Sequence, residues 1–214
     1  PPRLFYDAEG SALFEEITRL PEYYLTRTEQ ALFDRHADEM LAAASEGERL
    51  TLVELGAGSG EKTRTLIRAL LRRQPGAAYI PVDVSGAALE QTEAAFRREF
   101  PTLEVTPLEG RYRVAIGALR ERPGRKVVLF IGSSVGNFDP KEAIGLLKDV
   151  RAALGPSDSL LLGTDLKKDP SILVPAYDDA AGVTARFNKN VLARINRELG
   201  GTFDLDAFRH IAVW

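Results

Sequence analysis

The sequence predicts an α/β fold built on a doubly wound, mainly parallel sheet, and three observations carry that expectation. From Leu50 onward, strand-length apolar runs alternate with amphipathic stretches of helical spacing. The runs are apolar on both faces, as strands covered by helices on each side must be. The first of them, "LTLVELG", breaks directly into "AGSG", the kind of glycine-rich turn that lets backbone approach a small ligand at the end of a strand.

An all-helical segment, residues 1–48, precedes the alternation. In "SALFEEITRL" the residues Leu13, Phe14, Ile17 and Leu20 recur at helical spacing, and Pro21 ends the helix. "EYYLT" connects. Thr26 stands three residues before Glu29, a capping-box pair, so a second helix is expected to open there with Leu32, Phe33 and Met40 toward the core. The core segment, residues 49–169, follows with "LTLVELG", a helix from Glu61 to Arg73, "AAYIPVDV", and a helix from about Gly86 to Phe100 capped by Ser85. "LEVTPL" is the third expected strand. A helical stretch around Ala115 to Glu121 leads to "KVVLFIG". Asp139, Pro140 and Glu142 then combine a cap, a proline in the first turn and an acid favoured by the helix dipole. "DSLLLGTDL" is the fifth strand. Residues 170–214 begin in the proline-interrupted "KKDPSILVPAYDDA" and continue in a long helix with the stripe Phe187, Val191, Leu192, Ile195 and Leu199, closed by Gly200 and Gly201. The closing "HIAVW" reads as the start of a strand with nothing to pair it, and the chain is therefore expected to be part of a longer one.

Composition removes several classes of function. The 214 residues carry a net charge of -3 with acids and bases intermixed, so no basic face for nucleic acid is expected. Without cysteine there is no disulfide and no thiolate nucleophile. His36 and His210 lie far apart, and no metal site is expected from them. The longest apolar runs, such as "VVLFI", are far below a membrane span, and the beginning of the sequence has no signal-peptide core. A cytoplasmic enzyme or binding protein of small molecules is the expectation.

The glycine turn discriminates among ligands. "GAGSGEKT" misses the phosphate-cradling pattern because Glu61 stands at its second glycine, where a carboxylate would repel a phosphate. It misses the dinucleotide pattern at the same residue, Gly56 and Gly58 fitting and Glu61 not. What remains is a glycine loop after a strand carrying Glu54, with a second acid, Asp83, ending the next strand. In a doubly wound sheet these lie together at the carboxyl edge, where Asp83 can accept both ribose hydroxyls of a nucleoside. Such an acidic crevice suits a cationic, phosphate-free nucleoside, and S-adenosylmethionine is one.

Further segments are long and distinctive: "FYDAEGSALFEEITRLPEYYLTRTE", "LVELGAGSGEKT", "IPVDVS", "FIGSSVGNF", "LLLGTDLKKDPSILVPAYDDAAGVTARFNKNVLARINREL" and "FDLDAFRHIAVW". Through them the chain resembles, over essentially its whole length, the S-adenosylmethionine-dependent histidine-specific methyltransferases of ergothioneine biosynthesis, which trimethylate the α-amino group of L-histidine. The resemblance implies a Rossmann-like class I methyltransferase fold. It implies contacts to S-adenosylmethionine from Gly56, Lys62, Asp83, Arg111 and Tyr112. It also implies amino-acid binding by Tyr23, Asn137, Tyr177 and Gly132, with Tyr6 and Tyr23 positioning the amine and no certain catalytic residue. The family usually shows an acid where this chain has Arg111, and an arginine cannot accept a hydrogen bond from adenine, which leaves Glu109 or the backbone with Tyr112 to recognise the base. Relatives are expected to run on for about a hundred residues more, a portion that reads the imidazole side chain.

Methyl transfer to an amine asks mainly for alignment, worth on the order of 7 to 11 kcal/mol for a well-held pair, so phenols and an amide are informative side chains here. Four other readings stand beside this one. The chain could act on an indole amino acid, as a sister branch does, or bind S-adenosylmethionine without activity. "GSSVG" also satisfies the G-x-S-x-G pattern of serine hydrolases, with Ser134, Asp165 and His210 in the right order, although Asn137, Phe138 and the Asp139 cap delay the helix that such an elbow needs. The pair Asp178 and Asp179 invites a metal reading, against which an exposed loop pair is expected.

Overall fold

The computed structural model describes residues 4–45 and 49–214, except for the side chain of residue 121. By contact the chain groups differently from its order in sequence. Glu29–Thr164 form one compact unit, and the stretch up to Thr28 joins Asp165–Trp214 in another.

The larger unit is a sheet whose strands are β1 (Leu50–Leu55), β2 (Ala78–Asp83), β3 (Glu104–Val105), β4 (Leu108–Glu109), β5 (Arg125–Phe130) and β6 (Ser159–Leu162). Every pairing is parallel, and the order is β3-β2-β1-β5-β6 with β4 also on β2. The expected third strand is split because Pro107 has no N–H for the ladder, while Thr106 and Gly110 still donate to Tyr79 and Asp83 carbonyls at 3.0 and 2.8 Å. The order reverses between β1 and β5. That is the Rossmann-like, doubly wound arrangement, and its switch point lies where those two strands end.

Alternate residues of each strand face opposite layers. On one face Leu50, Leu52, Tyr79, Val127 and Leu129 pack with α2 (Tyr24–Ser45), α3 (Thr63–Arg73) and α4 (Gly86–Glu99). On the other, Val53, Leu55, Ile80, Val128 and Phe130 pack with α5 (Tyr112–Glu121) and α6 (Pro140–Ala153). The expected caps form: Ser85 accepts from Ala88 N–H, and Asp139 from Glu142 N–H. Helix α2 departs from expectation. It starts at Tyr24, so Thr26 lies inside it and forms no capping box with Glu29. Its buried stripe is Phe33, Ala37, Leu41 and Ala44, which leaves Leu32 49% exposed one residue out of phase.

The smaller unit contains α1 (Ala8–Thr18), the first turn of α2, α7 (Pro170–Tyr177) and α8 (Val183–Leu199). Asp7 caps α1 through Gly10 N–H at 2.8 Å and also accepts from Asn190 of α8 at 2.7 Å and Arg197 at 2.6 Å. Leu13, Ile17, Tyr23, Leu25, Ala176 and Val183 form its core. The segment expected to be merely proline-interrupted is helix α7, capped by Asp169 with Pro170 in the first turn. Asp179 is likewise no exposed loop acid: it is buried, and its carboxylate accepts from Val183 and Thr184 N–H at 2.9 and 2.7 Å to cap α8. Gly200, at φ 67°, ends α8 as expected, although Leu199 of the proposed stripe is 79% exposed. The last five residues form no strand.

Phe96 is fully buried, stacks on Tyr79 at 5.2 Å and lies against Gly60 of the loop. Phe96→Ala is expected to lower unfolding free energy by about 3–5 kcal/mol, measured by denaturant titration.

Candidate active site

After Leu55 the chain turns through Gly56, Gly58 and Gly60, at φ 76°, 51° and 64°, values that favour glycine. A side chain at Gly60 would meet the Phe96 ring at 2.9 Å, and one at Gly56 the Tyr112 hydroxyl at 3.2 Å, whereas the space over Gly58 is open. The loop is pinned from beneath. Gly56 and Ala57 N–H donate to Val82 O at 2.8 and 3.0 Å, and the Thr92 hydroxyl donates to Gly58 O at 2.8 Å.

Asp83 closes the first half of the crevice. One carboxylate oxygen accepts from Gly58 N–H and the other from Ser85 N–H, each at 3.0 Å. Both oxygens keep further lone pairs, and the residue is only half-buried, so two fixed acceptors remain available. Glu109 is the register neighbour of Asp83, and a side chain at Gly86 would meet its Oε2 at 2.8 Å, which puts that carboxylate at the start of α4. Arg111 is exposed, and its side chain makes no bond at the α5 cap it occupies. Tyr112 begins α5 and sits edge-on to Phe130 at 5.5 Å. Burial, then the Asp83 charge, pushes its hydroxyl up to about 12, so it is a neutral phenol able to donate and to accept.

Across the switch point, Gly132 follows β5 at φ 74°, and a side chain there would meet Lys62 Nζ at 3.0 Å. Glu29 accepts from Lys62 Nζ and takes the Gly132 N–H on both oxygens, at 2.8 and 2.9 Å. No sequence signal marked Glu29 for this, because a capping box accounted for its type and spacing. Asn137, itself exposed, ends a 3-10 turn, Ser134–Asn137, beyond the same strand. Beneath the loop lies Glu54, buried and accepting from the Tyr79 hydroxyl. Burial pushes its carboxyl up to about 7, although the bond from Tyr79 and the charge of Lys62 pull the other way.

The remaining candidates belong to the smaller unit, where Tyr6, Tyr23 and Tyr177 join one aromatic cluster. Phe14 lies edge-on to both Tyr6, at 5.5 Å, and Tyr23, at 6.3 Å, and Tyr23 meets Tyr177 at 6.0 Å and 86°. Residues far apart in sequence are thus neighbours. Burial, then the Asp165 charge, raises the Tyr177 hydroxyl above the usual phenol range. Tyr177 also lines a cavity of about 490 Å³ with Asp165, Thr184, Asn188, His210 and Trp214.

A family model described as "Histidine-specific methyltransferase, SAM-dependent" matches residues 1–214. The chain belongs to this family. It is 49% identical over its whole length to the histidine N-alpha-methyltransferase of Mycolicibacterium smegmatis and 46% identical to that of Mycobacterium tuberculosis. It spans 65% of the length of each. Over 94% of the chain it is 35% identical to ergothioneine biosynthesis protein 1 of Neurospora crassa, of which it covers 23%.

The donor set suits the cofactor of this histidine-specific methyltransferase family. Asp83 presents two fixed acceptors after β2, and the space over Gly58 is open. Glu61, which breaks the phosphate pattern, points to solvent and pairs with Arg64 at 3.5 Å. The hydrolase reading has no such support. Ser134 donates to Ile131 O at 2.8 Å, and the left-handed residue is Ser133, at φ 55°. Asp165 instead accepts from Tyr24 at 2.5 Å, and His210 Nε2 donates to Tyr177 O at 2.7 Å. Among the described residues no group of His, Asp or Glu is placed to hold a metal, and no helix is long and apolar enough to cross a membrane.

Glu54 makes a pH signature. A carboxyl raised from 4.5 to about 7 on folding contributes stability that is fully present below pH about 4.5 and lost as pH rises through about 7. Relative to Glu54→Gln, the unmodified protein should lose on the order of 3 kcal/mol across that window in denaturant unfolding. A flat difference would contradict the assignment.

Proposed function

We propose that the chain provides the cofactor crevice and amine-positioning tyrosines of a cytoplasmic S-adenosylmethionine-dependent N-methyltransferase, which converts L-histidine to N,N,N-trimethylhistidine in ergothioneine biosynthesis. The observation that carries this reading is the match of the whole chain to histidine N-alpha-methyltransferases, and the geometry of the crevice agrees with it. The amino acid is the proposed partner.

When bound, S-adenosylmethionine supplies a methyl group already activated on a sulfonium. What the chain adds is alignment. Asp83 would accept from the ribose hydroxyls with the oxygens that Gly58 and Ser85 hold in place. Tyr112 and the Gly56 backbone would border the nucleoside, and Glu109, which stands beside Asp83, would accept at adenine in place of the acid that Arg111 replaces. Lys62 would face the cofactor's anionic end. By the family resemblance, Gly132 and Asn137 in the larger unit and Tyr23 and Tyr177 in the smaller are the proposed amino-acid-binding residues, with Tyr6 and Tyr23 proposed for its amine. The phenols suit this role because each is locked edge-to-face with another ring, so the hydroxyl is aimed by packing rather than by a flexible stem. A neutral amine needs no strong base, and its surplus proton can leave to water after each transfer.

Mass spectrometry of L-histidine incubated with the protein and S-adenosylmethionine should show gains of one to three methyl groups, and methylation of an indole amino acid in preference would move the substrate class. In calorimetry Asp83→Ala should weaken S-adenosylhomocysteine binding by about 1.5–3 kcal/mol through lost charge-assisted hydrogen bonds, and equal affinity would remove Asp83 from the cofactor site. Tyr23→Phe should raise the amino-acid KM more than it changes affinity for S-adenosylhomocysteine. The opposite pattern would reassign it.

A further inference from the structure

Glu29 reaches the segments that follow three strands. Its carboxylate accepts from the Lys62 ammonium behind the glycine loop of β1, and takes the Gly132 amide after β5 on both oxygens at 2.8 and 2.9 Å. A side chain at Gly163, directly after β6, would fall on Glu29 Oε1. Glu29 and Lys62 are 14% and 21% exposed at their side chains, so the pair is shielded from water more than a surface bridge is. An ion pair this sheltered is costly to leave half-made, and its use lies in fixing geometry.

What it fixes is the lysine. A four-carbon stem carries large rotamer entropy, and a free ammonium at the edge of a crevice would have to be ordered each time a ligand bound. Here Nζ is held between the Glu29 carboxylate and the Cα of Gly132, where any side chain would displace it. An ammonium has three donors, so the bond to Glu29 leaves two. The only anionic group of S-adenosylmethionine is its carboxylate, and a lysine serving that cofactor serves that group.

We infer that Glu29 is a positioning residue for cofactor binding, acting through Lys62: it presets the ammonium for the cofactor's carboxylate and ties the loop after β1 to the loop after β5. The inference rests on the proposed methyltransferase reading. It opposes simple electrostatics, under which removal of a carboxylate near an anionic ligand group should tighten binding.

The test is calorimetric titration of S-adenosylhomocysteine into the unmodified protein, Glu29→Gln, Lys62→Met and the double variant. Glutamine fills the same space and can still accept from Gly132 N–H while losing the charge that holds Lys62. Glu29→Gln should weaken binding about tenfold with little change in the unfolding midpoint, and in the Lys62→Met background the same change should have almost no effect, because the two residues act as one unit. Binding as tight as the unmodified protein's or tighter, or losses that simply multiply, would overturn the inference and leave the function intact. No binding by the unmodified protein would instead overturn the functional reading and this one with it. Amide hydrogen exchange supplies a measurement that needs no variant: Gly132 N–H should be strongly protected in the free protein, and exchange at the rate of an open loop amide would overturn the geometry.

Discussion

The constraint on which this molecule depends is set where β1 and β5 end. There the chain leaves a parallel sheet toward opposite faces, and the loop amides beyond the strands lose their ladder partners. A buried amide without a partner costs about as much as a lost hydrogen bond. Two acids take up the amides, one on each side of the gap: Asp83 accepts from Gly58, and Glu29 from Gly132. The same bonds fix both carboxylates at the strand ends, Glu29 paired with the Lys62 ammonium and Asp83 left with lone pairs to spare.

The smaller unit solves a different problem. Its small aliphatic core, Leu13, Ile17, Leu25, Ala176 and Val183, is extended by rings: Phe5 stacks on Phe187 at 5.4 Å, and Tyr6, Phe14, Tyr23 and Tyr177 continue the cluster edge-to-face. Tyrosine is useful in such a core because the ring packs while the hydroxyl stays polar. Under the proposed function, the rigidity that stabilises the helices would also be the rigidity that a substrate-orienting phenol requires.

Much of this was legible in the sequence, for physical reasons. Apolar runs bounded by turn residues located β1, β2, β5 and β6, and the caps at Ser85 and Asp139 form where their spacing put them. The parts that were not legible depend on tertiary partners. Glu29 carries a perfect capping-box spacing to Thr26, but α2 begins at Tyr24, and the carboxylate is taken by groups 33 and 103 residues away. Asp179 looked like a loop acid until α8 supplied two amides for it. The nearness of Tyr6, Tyr23 and Tyr177 comes from helix packing, which no local pattern encodes. Their grouping was expected only through resemblance to a family.

The two strand acids, Glu54 and Asp83, show why side-chain type alone does not assign a role. Both stand at the same sheet edge, one inside β1 and one at the end of β2. Glu54 points into the core, where burial raises its carboxyl to about 7 and the Tyr79 hydroxyl donates to it. Asp83 points outward, half-exposed, with two backbone amides holding it and lone pairs to spare. A ligand can compete for the second and cannot reach the first. Glu54 therefore acts as a buried polar pin: it holds the hydroxyl of Tyr79, which stacks on Phe96, and Phe96 in turn lies against Gly60 of the glycine loop.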